Sequence, residues 1–402
     1  MYSSPQALEP SNPQSSAPSF SLYLHIPYCQ AKCPYCDFNS YAATQWPEQA
    51  YVDALCSEMR HYAQLEPWRS GSIRTIFFGG GTPSLFAPRS LASVLASVVG
   101  LWPVAADVET TLEANPGTIS AESLRGFRAA GVNRMSFGVQ SFVPRHLQTL
   151  GRIHGAQEAR DAVRLARAAG FDKISVDLIF ALPQQTLEEW ESDLAEALQL
   201  ETNHISAYNL TYEEGTPFHQ WRKQGRLQSL PDEIEVAMFT RTQEVLGAAG
   251  FEQYEVSNYA RFGHACRHNL NYWHSGSYLG VGAGAHSYAK PGQGVQGWGE
   301  RWGNEKSPGR YMELVGKTGA ARATHEELSE SQARGEFMFL GLRCRDGIDA
   351  TQFRARFQCD VETAFPHLEQ LRSDGLLQCD GQRWQLSPRG LLLGDSVFAT
   401  FL

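Results

Sequence analysis

The feature that most restricts the fold of this chain is a regular alternation of short apolar strand patterns with longer helical ones. Strand patterns fall at 21–27, 73–79, 107–114, 134–139, 173–181 and 204–210. Between them, apolar residues recur at helical spacing: Tyr51, Leu55, Met59 and Tyr62 over 48–63, and Leu91, Val94, Leu95 and Val98 over 89–99. Thr186 and Glu189 form a capping-box pair ahead of a helix predicted from Leu187 to Leu200. Ala-Ala-Gly recurs at 129–131, 168–170 and 248–250, where glycine suits the left-handed position that closes a helix. Strands joined through helices run parallel, since parallel neighbours need a crossover, and the crossovers share one hand. Periodicity alone leaves a doubly wound sheet and an open barrel as alternatives. In both, ligands sit beyond the carboxyl ends of the strands.

The residues with chemistry to offer lie at those ends. Strand two runs into Gly79-Gly80-Gly81-Thr82-Pro83, and strand three into Glu113-Ala114-Asn115-Pro116. Strand four ends Gly138-Val139-Gln140-Ser141, followed by Leu150-Gly151-Arg152-Ile153-His154, and strand five carries Asp177 inside an apolar run. Singly, each has a structural explanation: a flexible turn, a solvated charge, a hydrogen-bonded anchor. Their recurrence at one rim favours a binding site.

Strand one ends at Pro27 and is followed by Cys29, Cys33 and Cys36, spaced by three residues and then two. Three thiolates so placed can converge on an iron–sulfur cluster and leave one metal open for a further ligand. Structural zinc usually takes four protein ligands, and no fourth cysteine or histidine follows closely. Three cysteines also cannot pair evenly as disulfides. Cys56, Cys266, Cys344, Cys359 and Cys379 show no metal spacing and suit buried thiols in a reducing compartment.

This loop, with Tyr35 just before its third cysteine, closely resembles the cluster loop of the radical S-adenosylmethionine (SAM) superfamily. The set Gly-Gly-Gly-Thr-Pro, Glu-Ala-Asn-Pro, Gly-Val-Gln-Ser and Leu-Gly-Arg-x-His resembles the branch holding the oxygen-independent coproporphyrinogen III oxidases (HemN) and the haem chaperones called HemW. The resemblance implies a partial (β/α)6 radical SAM barrel, open on one side. It implies a 4Fe-4S cluster on Cys29, Cys33 and Cys36, and SAM contacts from Tyr23, Tyr35, Gly80, Gly81, Thr82, Glu113, Gln140, Arg152 and Asp177.

His268-Asn269-Leu270-Asn271-Tyr272-Trp273 matches the His-Asn-x-x-Tyr-Trp motif that marks the chaperones in this branch. An imidazole can ligate haem iron, and Tyr and Trp offer broad faces to a macrocycle. His268, Asn269, Tyr272 and Trp273 are therefore the expected haem residues, with Cys266, His264 and His286 as alternative ligands. The competing explanation is a histidine satisfying loop groups among core aromatics. Nearby, Gly280-x-Gly282-x-x-Ala285 matches a dinucleotide fingerprint by letter, but no convincing helix follows; close backbone packing is the better explanation of its glycines.

The resemblance leads to an expected function: a haem chaperone that binds a 4Fe-4S cluster, SAM and haem and delivers haem to an acceptor protein. A membrane-associated respiratory protein is one candidate acceptor. The alternative is the oxidase, which decarboxylates a porphyrin precursor oxidatively, and no catalytic residue separates the two. A net charge of −9 argues against nucleic acid as partner, and no apolar run approaches the ~18 residues of a membrane span, so a cytoplasmic location is expected.

The expected division is a disordered tail over 1–19, a barrel over 20–250, an extension with the His-Asn-x-x-Tyr-Trp motif over 251–321, and a C-terminal α+β winged-helix-like domain over 322–402. In that last part, helices are predicted at 329–342, 350–357 and 361–374. A hairpin follows from Leu376 to Leu386, turning at Asp380-Gly381, and then a helix from Pro388.

Overall fold

A computed structural model describes residues 18–292 and 294–402. Most of the expected tail at 1–19 therefore lies outside the described residues, although Ser19 already belongs to the first strand.

The barrel consists of β1 (Ser19–Ile26), α1 (Glu48–Tyr62), β2 (Ser72–Gly80), α2 (Pro88–Leu101), β3 (Val104–Ala114), α3 (Ala121–Ala130), β4 (Arg134–Gln140), α4 (Ala156–Ala168), β5 (Lys173–Phe180), α5 (Leu187–Gln199) and β6 (His204–Asn209). The six strands pair in parallel in chain order. Gly131, Gly170 and Gly250 all have positive φ at the helix ends, as the repeated Ala-Ala-Gly junction predicts. The Thr186–Glu189 capping box is formed.

β1 and β6 do not meet, so the barrel stays open. Beyond β1 the sheet continues through Tyr278–Val281, parallel to β1, and then through antiparallel His286–Ala289, Glu300–Asn304 and Arg322–Glu327. Beyond β6 it continues antiparallel through Asn258–Ala260 and Glu252–Gln253. The glycine run at 280–285 leads into a strand and not a helix, which removes the dinucleotide reading. A Cβ on Gly280 would lie 2.0 Å from the His286 carbonyl oxygen, and one on Gly282 2.5 Å from that of His25. Close backbone packing accounts for these glycines.

One apolar core lies between the barrel helices and strands; a second fills the C-terminal unit. That unit holds helices Glu330–Arg343 and Ala350–Phe357 beside a small sheet of Ile348–Asp349, Arg383–Leu386 and Leu377–Cys379, a winged-helix-like arrangement. The single helix predicted over 361–374 is two short ones, Val361–Ala364 and Leu368–Ser373. Pro366 lies between them, lacks an amide donor and disfavours the helical region for the residue before it. The final helix from Pro388 is likewise broken at Leu393. Among the described residues, no helix is long and apolar enough to cross a membrane.

Candidate functional site

Side chains alternate across a strand, so every second residue of the parallel strands faces the barrel interior. These positions are polar to an unusual degree. Tyr23, Phe77, Thr111 with Glu113, Arg134 with Ser136, Ser175 with Asp177, and His204 with Ser206 and Tyr208 line one cavity of about 220 Å³. His268, Asn269 and Tyr272 close it on the side where the strands begin.

The cysteine loop sits at the opposite mouth, where strands end. Its three thiols are free. Arg152 directs Nη1 at Cys33 Sγ (3.4 Å) and Nη2 at the Gly138 carbonyl (2.7 Å), while its buried Nε has no partner. The Thr82 hydroxyl donates to Cys29 Sγ at 3.5 Å. Burial pushes the Cys29 and Cys36 thiols up, opposed by the Thr82 hydroxyl at Cys29 and a backbone hydrogen bond from Phe38 at Cys36. Such thiols ionise when a metal replaces the proton. Among the described residues, no group of three or more His, Cys, Asp or Glu is gathered to hold a single ion. A cubane cluster distributes its three protein ligands over separate irons.

The Gly79-Gly80-Gly81 turn packs against this loop without room for side chains. A Cβ on Gly81 would lie 2.6 Å from the Tyr28 carbonyl oxygen, and Gly80, at φ +113°, faces the His25 ring. The Gly80 amide donates to Glu113 Oε2 at 3.2 Å. Burial pushes the Glu113 carboxyl up to about 8, the nearby Asp177 carboxylate adds to the rise, and the Gly80 amide opposes it. Burial likewise raises Asp177 to about 6 against hydroxyl donors on Ser206 (2.8 Å) and Ser136 (3.3 Å). Gln140 ends β4 at φ +71°, a costly conformation for a non-glycine and one that clusters at functional sites. Tyr35 lies beside Arg152 and Cys33 and packs on Phe218.

The structure therefore brings Tyr23, Glu113 and Asp177 into the cavity, and Tyr35, Gly80, Gly81, Thr82, Gln140 and Arg152 to its cysteine-side rim. Sequence reasoning missed Ser136, Ser206, Arg134, Thr111, His204 and Tyr208. The signal was present as polar residues at every second position of otherwise apolar strands.

The motif helix, Arg267–Trp273, plugs the far end of the barrel. Glu109, only 1% exposed, reaches down from β3, and its Oε1 accepts from the amides of Arg267 (2.9 Å) and His268 (3.3 Å). A carboxylate at a helix N-terminus satisfies donors that the helix itself cannot. Arg134 Nη1 lies 3.6 Å from the same carboxylate and donates to the His264 carbonyl.

His268, an expected haem residue, is buried and hydrogen-bonded at both ring nitrogens. It is 1% exposed, with Nδ1 2.8 Å from Thr75 Oγ1 and Nε2 2.8 Å from Tyr272 OH. Thr75 Oγ1 donates onward to Ser21 Oγ, so Nδ1–H donates to Thr75 and the Nε2 lone pair accepts from Tyr272. Burial drives its pKa down to about 3. Both ring nitrogens are therefore engaged in hydrogen bonds to neighbouring hydroxyls. Asn269 and Tyr272 face the cavity. Trp273 points away from it, under Arg343, whose Cζ lies 4.5 Å from a ring centroid of the indole.

Comparison with known proteins agrees with this architecture. Residues 23–197 match the radical SAM superfamily, and residues 328–393 match the HemN C-terminal domain. The chain is 38% identical to the heme chaperone HemW of Escherichia coli (strain K12), covering 96% of this chain and 98% of that protein. It is 37% identical to heme chaperone HemW of Bacillus subtilis (strain 168), covering 95% and 99%. Radical S-adenosyl methionine domain-containing protein 1, mitochondrial, of Mus musculus is 37% identical, covering 98% and 90%. Among solved structures, the coproporphyrinogen III oxidase HemN of Escherichia coli shares the fold, with a TM-score of 0.81 at 24% identity and coverage of 96% and 90%.

Proposed function

Because this chain belongs to the HemW family within the radical SAM superfamily, we propose that it is a haem chaperone, which binds haem and passes it to an acceptor protein. The observation that carries this is near full-length similarity to proteins named as haem chaperones, together with the His-Asn-x-x-Tyr-Trp helix set as the barrel plug. In this reading residues 20–250 are the barrel, 251–321 its extension with the plug, and 322–402 the winged-helix-like unit that braces it. The setting is cytoplasmic, and a membrane-associated respiratory protein is a candidate acceptor.

Cys29, Cys33 and Cys36 would hold a 4Fe-4S cluster, and Tyr23, Tyr35, Gly80, Gly81, Thr82, Glu113, Gln140, Arg152 and Asp177 would hold SAM. When bound, the pair supplies one-electron chemistry that side chains lack. The protein's own contribution is preparation. Arg152 and Thr82 direct donors at sulfur and so favour the thiolate forms. The glycine turn admits a ligand's backbone-close approach. Glu113 and Asp177 offer acceptors to amino or hydroxyl groups, and the plug keeps bulk water from entering at the strand starts. His268, Asn269, Tyr272 and Trp273, on the motif helix, would be the residues that serve haem.

Anaerobic reconstitution tests this directly. Wild-type protein should take up iron and sulfide and bind haem, and each of Cys29→Ser, Cys33→Ser and Cys36→Ser should abolish cluster absorbance. Turnover of coproporphyrinogen III to protoporphyrinogen IX would instead establish the oxidase.

A further inference from the structure

The segment Leu150-Gly151-Arg152-Ile153-His154 brings two polar side chains to the end of β4. Arg152 reaches on to Cys33, whereas His154, 3% exposed, is spent wholly inside the protein. An irregularity in β4 explains why a histidine is needed there. β4 keeps step with β5 up to Gly138, which pairs with Asp177, and then skips Val139, so that Gln140 pairs with Leu178. On its other side β4 has already outrun β3, whose last residue, Ala114, lies opposite Phe137. A bulge of this kind leaves the extra residue out of the ladder, and its buried carbonyl must find another donor.

The segment supplies that donor and one more. Arg152 Nη2 donates to the Gly138 carbonyl at 2.7 Å, and His154 Nε2 donates to the Val139 carbonyl at 3.1 Å. Side chains two residues apart thus take consecutive carbonyls. The other nitrogen of the imidazole is turned to the end of β3, with Nδ1 2.9 Å from Asn115 Oδ1. Asn115 is itself fixed, since its carbonyl accepts from the Thr118 amide at 2.9 Å and the Thr118 hydroxyl at 2.8 Å. One buried ring therefore spans the ends of two neighbouring strands. Glu113 stands two residues before Asn115, and Gln140 directly follows Val139. Gln140 has φ +71°, a conformation that persists only where its surroundings impose it.

We propose that His154 is a positioning residue for SAM: by clasping the Val139 carbonyl to the Asn115 turn, it keeps Gln140 in the strained conformation from which Gln140 serves the ligand. This deepens the reading of Glu113, Gln140 and Arg152 as SAM contacts and rests on it. The imidazole acts through Val139 and Asn115, not on the ligand. Without its Nε2–H, the Val139 carbonyl is left buried and unsatisfied. The least costly repair is for the bulge to relax, which carries Gln140 out of place.

The test is the SAM affinity of the anaerobically reconstituted full-length protein, measured by equilibrium dialysis with labelled SAM alongside cluster absorbance and thermal melting. His154→Phe fills the same space without a donor, and should weaken SAM binding about tenfold or more while leaving cluster absorbance unchanged. His154→Gln carries an amide nitrogen to the Nε2 position and should restore most of the affinity. His154→Asn reaches only as far as Nδ1 and should behave like His154→Phe. In a Gln140→Ala background, His154→Phe should add little further loss, because both changes act through one side chain. Wild-type SAM affinity in folded His154→Phe would overturn the assignment, as would fully additive losses in the double variant. If His154→Phe does not fold, the contrast between His154→Gln and His154→Asn decides, and equal affinities in those two would overturn it. Cluster-loaded wild-type protein that takes up no SAM would instead remove the reading on which the assignment rests.

Discussion

Glu113 and Asp177 share one chamber, and among the described residues neither has an ion-pair partner. Their protons are therefore tied to folding. The native state keeps a proton on Glu113 up to about pH 8 and on Asp177 up to about pH 6, whereas an unfolded carboxyl gives it up near its ordinary value. With raised carboxyl pKa values, this contribution is fully present below the unfolded pKa and is lost as pH rises through the folded one. Glu113→Gln should thus stabilise the ligand-free protein by on the order of 1–3 kcal/mol above pH ~8.5 and change little near pH ~5. Equal melting shifts at both pH values would sink the idea. Glu113 and Asp177 could be anticipated because parallel sheets bind ligands beyond their strand ends, whereas Tyr23 followed only from the family resemblance. Ser136 and Ser206 were legible as polar alternation within apolar strands, but which face points inward follows only from the register. The bonding of His268 was equally hidden, since it depends on Thr75, distant in sequence.

At the scale of elements, the plug helix is too short to be stable alone and is fixed by what meets its ends. Glu109 holds its first turn and pairs with Arg134, both at most 2% exposed. Glu109→Ala should cost about 3–5 kcal/mol, because it strands a buried guanidinium together with helix amides. Chemical denaturation would give the magnitude, and faster amide exchange over 267–273 would locate it. The glycine turn carries a second expectation. Gly81→Ala should displace the cysteine loop and lower iron content after reconstitution, because the new methyl would meet Tyr28 backbone and not a yielding side chain. Helices with continuous apolar periodicity and a clear cap were legible from sequence, α5 being the plainest. The interruption near Pro366 was readable too, since the apolar spacing runs on through a residue that has no amide to donate.

Across the whole molecule, the motif helix joins two units that the sequence presents as separate. One side of it faces the chamber through Asn269 and Tyr272; Trp273 lies under Arg343 of Glu330–Arg343. Backbone bonds from Val256 to Arg343 and from Arg345 to Tyr254 tie the same junction. Trp273→Ala should therefore speed amide exchange in both 267–273 and 330–343; an effect confined to the first segment would show that the two units are independent. The alternation of strands and helices made the barrel readable, whereas this junction depends on packing between residues about 70 positions apart. The plug has one further consequence. Because β5 has eight residues, the floor that the plug forms and the sulfur-lined entrance lie on opposite poles, roughly 25 Å apart. A reactive species generated at the entrance would meet a closed floor and not the outer face beyond it.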